Sequence, residues 1–249
     1  MGEVIAVLSG KGGTGKTTVC AGLATCLAQE GKRVLCIDLD VGLRNLDIAL
    51  GMQEVPALSF TEVAQGGYAL ESAAAHPRFP TLRFLTAPVG LSPEEVDRES
   101  FLRLLDRARE QFDFCLMDAP AGLGACFQLA ARGADRIVLV TAGEPAALRD
   151  AARTAEVLDL MGKARVRLAV NRVRPELYEK IHLTVDDVMD GVGLPLLGVV
   201  PEDRNVTLAA AFGSPLILFT RRGAAAACKR MARRLLGIRT PIPKLKVKS

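Results

Sequence analysis

The string GKGGTGKTT, residues 10–18, fits the phosphate-loop pattern G-x-x-x-x-G-K-[ST] between Gly10 and Thr17. Its glycines let the backbone curl so that several N–H groups point at phosphate oxygens. Lys16 adds a positive charge near the β- and γ-phosphates, and the Thr17 hydroxyl is a ligand for Mg²⁺. A helix beginning here turns the positive end of its dipole toward the same anion. The residues predicted to hold the phosphates are Gly12, Gly13, Thr14, Gly15, Lys16, Thr17 and Thr18.

Segments of strand length alternate with helical periods along almost the whole chain, starting just before this loop. Several strand candidates are near-continuous apolar runs, such as IVLVT at residues 137–141, which is typical of strands buried on both faces. The predicted strands are residues 4–9, 33–38, 82–86, 112–118, 136–141, 166–171 and 196–200. The predicted helices are residues 16–30, 98–111, 145–161 and 224–236. This alternation predicts one α/β domain, residues 1–237, with a doubly wound, mostly parallel sheet and helices on both faces.

The composition excludes several classes of function. Hydrophobic residues make up 49% of the 249 residues and charged residues 24%, which is a globular balance. Aromatic residues reach only 4%, with no Trp, which argues against a platform that stacks sugars or bases. The six cysteines form no C-x-x-C pair, so we expect buried small side chains in a reducing compartment.

Carboxylates follow two of the predicted strands. The first strand after the loop runs into DLDVGLRNLD, residues 38–47, where Asp38 and Asp40 would orient metal-bound or attacking water. The strand at 112–118 ends in DAPAG, and Asp118 fits a Walker B carboxylate that holds Mg²⁺ through water. An alternative role for Asp118 is that of a helix N-cap. The predicted metal site therefore combines Thr17, Asp38 and Asp118.

Lys11 adds a feature that a simple phosphate loop lacks, because it cannot easily reach phosphates that Lys16 already serves. The string GKGGTGKTT resembles the deviant Walker A motif of the ParA/MinD family of P-loop ATPases, and DLDVGLRNLD is similar to the switch I segment of its MinD branch. The resemblance runs from residue 4 to about residue 236. In that family the early lysine reaches across a nucleotide-sandwiched homodimer to the partner's phosphates. The resemblance thus implies catalytic roles for Lys11, Lys16 and Asp40, with Asp40 positioning the attacking water.

The resemblance also implies a cofactor, an adenine side and partners. It implies hydrolysis of Mg·ATP to ADP and phosphate by an ATP-dependent dimerising switch that acts in division-site placement. On the adenine side it implies roles for Asn171, Arg172, Pro201, Glu202 and Asp203. The implied partners are a second copy of the chain, a MinC-like inhibitor and a MinE-like or other topological regulator. The implied location of the protein is the cytoplasm. A ParA-type DNA-partition ATPase and a flagellar-number regulator remain as alternatives of the same class.

The charge is distributed unevenly along the chain. Residues 1–203 carry 21 Lys and Arg against 28 Asp and Glu, a net charge of −7, whereas residues 204–249 carry 11 basic residues and no acidic one. This predicts attraction of the C-terminal end to an anionic surface. A membrane, on whose cytoplasmic face the protein would be peripheral, is the expected surface, and nucleic acid is not an expected partner.

The C-terminal end divides into a helix and a tail. The residues of the helix period that share one apolar face are Ala224, Cys228, Met231, Leu235 and Ile238, so we expect it to dock on the sheet. The basic residues expected to face away are Lys229, Arg230, Arg233 and Arg234. Residues 238–249 form a basic tail in which Pro241 and Pro243 exclude a continuous helix.

Overall fold

A computed structural model describes residues 1–242 of the chain and contains one eight-stranded sheet with helices on both faces. The strands are Glu3–Leu8 (β1), Val34–Asp38 (β2), Ala74–His76 (β3), Phe79–Leu85 (β4), Phe114–Asp118 (β5), Arg136–Ala142 (β6), Val166–Val173 (β7) and Leu196–Pro201 (β8). Their order across the sheet is β3-β4-β2-β5-β1-β6-β7-β8. All neighbours are parallel except the β3–β4 pair at one edge. The predicted doubly wound, mostly parallel α/β fold is confirmed.

Eleven α-helices connect the strands within the described residues. They are Lys16–Gln29 (α1), Leu46–Leu50 (α2), Phe60–Ala64 (α3), Arg98–Gln111 (α4), Ala125–Gly133 (α5), Pro145–Leu160 (α6), Pro175–Lys180 (α7), Val185–Val192 (α8), Asn205–Ala211 (α9), Leu216–Phe219 (α10) and Gly223–Leu235 (α11). Two 3₁₀ turns, Leu70–Ser72 and Pro93–Glu95, complete them. The four helices expected from the sequence are α1, α4, α6 and α11.

Each face of the sheet carries its own apolar core. One core joins alternate residues of β1, such as Ala6 and Leu8, to large side chains of α3, α4 and α5, including Phe60, Phe101 and Phe127. The other core joins Ile5 and Val7 to α1, α2, α9, α10 and α11. Because successive side chains of a strand point to opposite faces, strands buried on both faces read as continuous apolar runs. All six cysteines are buried free thiols, as expected.

The last helix, α11, docks on the sheet as predicted, but Ile238, which was expected on the docked face, lies beyond its end and is 38% exposed. Ala224, Cys228 and Met231 are buried against α1 and β8. The prediction that Arg234 faces away is wrong. Its guanidinium group is half-buried and donates to the carbonyl oxygens of Leu197 at 2.6 Å and Thr240 at 2.8 Å. The side chain therefore bends back over the end of α11 and reaches the start of β8.

The α1–α11 contact leaves no room for a side chain at Gly22. A Cβ at this position would lie 2.5 Å from Cys228 Sγ. Although alanine favours a helix interior over glycine, we expect Gly22→Ala to lower the free energy of unfolding by about 1–3 kcal/mol, because overpacking outweighs propensity. Denaturant unfolding measures this loss. In a Cys228→Ala background the same substitution should cost much less, and an equal cost in both backgrounds would contradict the packing explanation.

No helix within residues 1–242 is long and apolar enough to cross a membrane. The basic tail expected at residues 238–249 is described only as far as residue 242. Pro243, Lys244, Lys246 and Lys248 lie outside the described residues.

Candidate functional site

The phosphate loop lies at the carboxyl end of β1, where chain connections depart to both sides of the sheet. This is the position at which ligands bind in doubly wound folds. Gly13 and Gly15 have φ values of 78° and 82°, a left-handed conformation that glycine adopts without strain. Gly10 packs so tightly that a Cβ there would lie 2.6 Å from the Asp150 carbonyl oxygen of α6. The predicted loop therefore folds as a backbone cradle directly before α1.

Lys16 points into the sheet edge and pairs with Asp118. Its Nζ lies 2.8 Å from Asp118 Oδ1, and the two residues are 7% and 1% exposed. Burial raises the pKa of the Asp118 carboxyl, while the Lys16 ammonium and the Thr17 hydroxyl oppose that shift. The predicted phosphate lysine, the predicted Mg²⁺ ligand Thr17 and the predicted Walker B carboxylate thus meet at one point.

Asp38 and Asp118 are registered neighbours at the ends of β2 and β5. Asp38 is 1% exposed, and its carboxylate accepts the N–H groups of Asp40 at 2.9 Å and of Leu46 at 3.1 Å. These bonds fix the loop between β2 and α2, residues 39–45, here called the switch loop. Asp40 in this loop is only partly buried and lies next to the phosphate loop. Arg44 in the same loop has a φ of 49°, and its Nε donates to Thr86 Oγ1 at 3.1 Å.

Asp38 gives the protein a defined pH response. Burial, followed by the nearby Asp118 carboxylate, raises the pKa of Asp38 from 3.8 to about 7. The folded state therefore binds this proton more tightly than the unfolded state, and the resulting stability is lost as the pH rises toward 7. Between about pH 5 and pH 8, the free energy of unfolding should fall by about 2–3 kcal/mol more in the wild type than in Asp38→Asn. Urea unfolding of both proteins tests this, and parallel pH profiles would contradict it.

Lys11 is exposed at the outer side of the loop, and within residues 1–242 it makes no ion pair. Only its backbone is fixed, because Ser9 Oγ donates to the Lys11 carbonyl oxygen at 3.1 Å. The two lysines of the loop thus point in different directions. Lys16 lies inside the protomer, whereas Lys11 lies where another molecule can meet it.

The predicted adenine-side residues line one cavity of about 650 Å³ next to the loop. The buried Asn171 amide donates from Nδ2 to the Thr14 carbonyl oxygen at 2.8 Å, so it also holds the loop in place. A Cβ on Gly15 would lie 2.2 Å from the same Nδ2. Arg172, with a φ of 54°, brings its own side chain to the cavity.

Two of the predicted adenine-side carboxylates already have structural partners. Glu202 pairs with Arg174, and Asp203 accepts N–H groups of Asn205 at 2.9 Å and Ala224 at 3.0 Å. Sequence reasoning missed four further residues that line this cavity at the start of α9, namely Arg204, Asn205, Val206 and Thr207. No motif marks them, because only the turn after β8 brings them opposite Thr18.

The residues present fit a phosphate-bound metal. Within the described part of the chain, no group of three or more His, Cys, Asp or Glu side chains could hold an ion alone. Mg²⁺ is commonly held by one or two protein oxygens together with substrate phosphates. Thr17 and Asp118 supply such oxygens beside the cradle. The buried Thr14 Oγ1, which has no partner among residues 1–242, adds a donor at the loop.

Comparison with known proteins agrees with this geometry. A family model described as the CobQ/CobB/MinD/ParA nucleotide binding domain matches residues 5–216. The chain belongs to this MinD/ParA family. The septum site-determining protein MinD of Bacillus subtilis (strain 168) is 35% identical over 246 residues, which covers 97% of this chain and 92% of that protein.

Two solved structures of MinD proteins superpose closely on this member of the MinD/ParA family. The MinC:MinD cell division protein complex of Aquifex aeolicus matches with a TM-score of 0.89 and 33% identity, covering 98% of this chain and 99% of that chain. The septum site-determining protein MinD complexed with Mg-ADP from Pyrococcus horikoshii OT3 matches with a TM-score of 0.81 and 29% identity, covering 94% of this chain and 96% of that chain. The chain is a P-loop ATPase of the MinD type, the class that acts in division-site placement.

Proposed function

We propose that this ATPase works as a dimerising switch in division-site placement, in which each protomer completes the nucleotide site of the other. The observation that carries this proposal is the exposed Lys11 beside the buried Lys16–Asp118 pair. A lysine that is not needed by its own loop can serve the phosphates of a second copy.

Residues 12–18, with Lys16 and Thr17, hold the phosphates of Mg·ATP within one protomer. Mg²⁺ neutralises charge on the phosphates when it is bound, and Thr17, Asp118 and Asp38 are the residues that hold it directly or through water. The Lys16 ammonium group pairs with Asp118 and also interacts with the β- and γ-phosphates. On the adenine side, Asn171, Arg172 and residues 201–203 line the cavity that receives the base.

Hydrolysis needs an oriented water and stabilisation of charge that develops on the transferred phosphoryl group. Asp40 orients the attacking water, because it lies at the cleft on a loop that Asp38 fixes. Lys11 of the partner subunit plays the part of an arginine finger. Without the partner this charge is absent from the site, so hydrolysis is tied to dimerisation.

The switch reaches its partners through surfaces that change with dimerisation. A MinC-like inhibitor and a MinE-like or other topological regulator are the expected protein partners, in keeping with the MinC:MinD complex of the Aquifex aeolicus relative. The ATPase domain is residues 1–237, and residues 238–249 are a basic tail that attaches the cytoplasmic protein peripherally to membrane.

The number of tails that reach the membrane depends on the nucleotide, because ATP brings two protomers together. Arg239, Lys244, Lys246 and Lys248 contribute about 1 kcal/mol each near anionic lipid, or about 4 kcal/mol for one tail. This corresponds to only about millimolar binding. Two tails held together in an ATP dimer reach about 8 kcal/mol, or about micromolar binding, when both engage.

Light scattering of Asp40→Ala with ATP or ADP, with and without vesicles of anionic lipid, tests the proposal. This variant retains the phosphate loop but hydrolyses slowly, so ATP should hold it as a dimer on the vesicles while ADP leaves it monomeric and bound far more weakly. Equal, negligible vesicle binding in both nucleotides would contradict membrane attachment. A monomer in ATP would contradict the switch itself. Salt-sensitive retention on DNA with ATP would instead favour a DNA-partition role.

A further inference from the structure

A second charged cavity lies at the amino ends of β6, β7 and β8, at the sheet edge opposite to the phosphate loop. It has a volume of about 360 Å³. Its floor is apolar and includes Val138 and Leu197. The four charged residues around it, here called the arginine pocket, are Arg136, Arg165, Arg167 and Arg234.

Strand alternation explains why these arginines converge. Val138 of β6 and Ala169 of β7 face the core layer formed with α1 and α11. Residues two positions apart on a strand share a face, so Arg136, Arg165 and Arg167 point to the same layer. Because α11 ends at Leu235, it does not cover these strand starts, and Arg234 enters from its last turn. Guanidinium groups therefore stand where these strands begin, with Arg136 half-buried and Arg165 and Arg167 exposed.

The charge in the arginine pocket is only partly balanced. Glu3 Oε1 lies 2.6 Å from Arg136 Nε and 2.8 Å from Arg165 Nη1. No other carboxylate within residues 1–242 makes an ion pair with any of the four arginines. Arg234 donates to neutral carbonyl oxygens, and Arg167 has no hydrogen-bond partner among the described residues. Among the described residues, one carboxylate thus pairs with two of the four guanidinium groups, and no carboxylate pairs with the other two.

The arginines repel each other at close range. Backbone pairing places Arg136 beside Arg165, since Ile137 N–H donates to the Arg165 carbonyl oxygen at 3.0 Å. Like charges directly opposite on neighbouring strands are destabilising. Burial, together with the charges of Arg165 and Arg167, holds the pKa of Arg136 below its ordinary value despite Glu3. Burial and the charge of Arg167 do the same to the pKa of Arg234. An anion at this point would relieve the repulsion.

We propose that the arginine pocket binds a phosphate group, supplied either by the headgroup of an anionic phospholipid or by a free phosphate. Arginine presents a planar fork of donors that matches phosphate oxygens, and the cavity is large enough for a phosphate ester. Arg167, which has no partner among residues 1–242, and the Arg165 donors that do not contact Glu3 are the groups left to bind it. This site is separate from the nucleotide site and does not depend on nucleotide-driven dimerisation.

The position of the tail connects the arginine pocket to an anionic surface. Gly237 lines the cavity, and the Thr240 carbonyl oxygen is held by Arg234 at its rim. The described chain thus passes the edge of this pocket at residues 237–240, and the basic residues of the tail follow next in the sequence. A surface that attracts the tail also meets the pocket, so the lipid headgroup is the source that this geometry brings closest.

Two charge variants of the full chain test the proposal. Arg167→Glu reverses a charge in the arginine pocket, and Arg153→Glu reverses an exposed charge on α6 as the matched control. Arg165→Gln removes a second pocket charge without reversing it. All proteins are first saturated with Mg·ADP, which occupies the phosphate loop, and unchanged ADP affinity shows that they are folded. The probes are inorganic pyrophosphate at constant ionic strength and vesicles with or without phosphatidylglycerol.

We expect the wild type and Arg153→Glu to bind a probe alike. Arg167→Glu changes the charge in the pocket by two units, and each unit changes the affinity about 5-fold, so it should bind the probe about 30-fold more weakly. Arg165→Gln should lose about 5-fold. Selective loss of pyrophosphate-induced thermal stabilisation identifies a free phosphate as the ligand, and selective loss of vesicle binding identifies the lipid headgroup. If Arg167→Glu and Arg153→Glu behave alike toward both probes, the arginine pocket is not a phosphate site.

Discussion

Lys11→Ala is expected to lower the rate of ATP hydrolysis by at least about 10²–10³-fold and to abolish ATP-driven dimerisation. Lys11 is exposed and makes no ion pair within residues 1–242, so its loss removes no support from its own protomer. What is lost is the charge that meets the partner's phosphates. Phosphate release and light scattering, each with ATP, measure the two effects.

Lys32→Ala is the matched control for this variant. Lys32 lies just before β2, at the sheet edge opposite to the loop, so its removal changes the net charge equally without touching the nucleotide site. It should dimerise and hydrolyse ATP normally. Lys11→Ala should still bind ADP like the wild type. Normal dimerisation of Lys11→Ala with ATP would refute the cross-subunit role.

Lys16→Ala is expected to abolish nucleotide binding and also to lower the free energy of unfolding by about 3–5 kcal/mol near pH 8. The substitution removes the ammonium group 2.8 Å from Asp118 and leaves a buried carboxylate without its partner. The loss should shrink as the pH falls, because burial raises the pKa of Asp118 and a protonated carboxyl is no longer a buried charge. Urea unfolding with and without ADP follows both effects.

A double variant separates these two consequences. Lys16→Met with Asp118→Asn replaces the ion pair by neutral groups of similar size, and replacing both members of a buried pair is often close to neutral for stability. We expect it to recover most of the unfolding free energy but no nucleotide binding. If Lys16→Ala alone unfolds with nearly the wild-type free energy, the buried pair does not stabilise the protein.

Much of the fold follows from periodicity in the sequence. All seven predicted strands exist and end within three residues of their expected bounds, because strands buried on both faces leave long apolar runs. The eighth strand, Ala74–His76, was missed, since it is a three-residue edge strand paired antiparallel and has little strand propensity. The missed helices, such as α2 and α3, are short and depend on caps and tertiary packing more than on an apolar repeat.

The site was predictable where a motif carries the chemistry and not where three-dimensional contacts do. The strand ends explain why Asp38, Asp118 and the loop meet, because carboxyl ends of parallel strands share one edge of a sheet. Nothing in the sequence indicates that Asn171 anchors the Thr14 carbonyl oxygen, since the two are far apart in the chain. The roles assigned to Lys11 and Asp40 remain predictions.

The arginine pocket could not be predicted for a similar reason. Arg136, Arg165 and Arg167 stand at the starts of strands whose remaining residues are apolar, and a charge at a strand end is ordinarily solvated. Only the folded order β6-β7-β8 and the end of α11 bring them to Arg234. The excess of positive charge beyond residue 203 is visible in the sequence. Only the structure shows that one of these residues, Arg234, lies beside arginines of β6 and β7.

Mixing two inactive variants tests most directly whether Lys11 serves the other protomer. Lys11→Ala retains Asp40, and Asp40→Ala retains Lys11, so a mixed dimer contains one complete site only if Lys11 acts across the interface. ATP hydrolysis is measured per mole of Lys11→Ala while Asp40→Ala is added in increasing amounts. The account predicts a saturable rise of at least about tenfold above the summed rates of the separate proteins. A rate that stays at that sum, while light scattering shows that mixed dimers form, would contradict it.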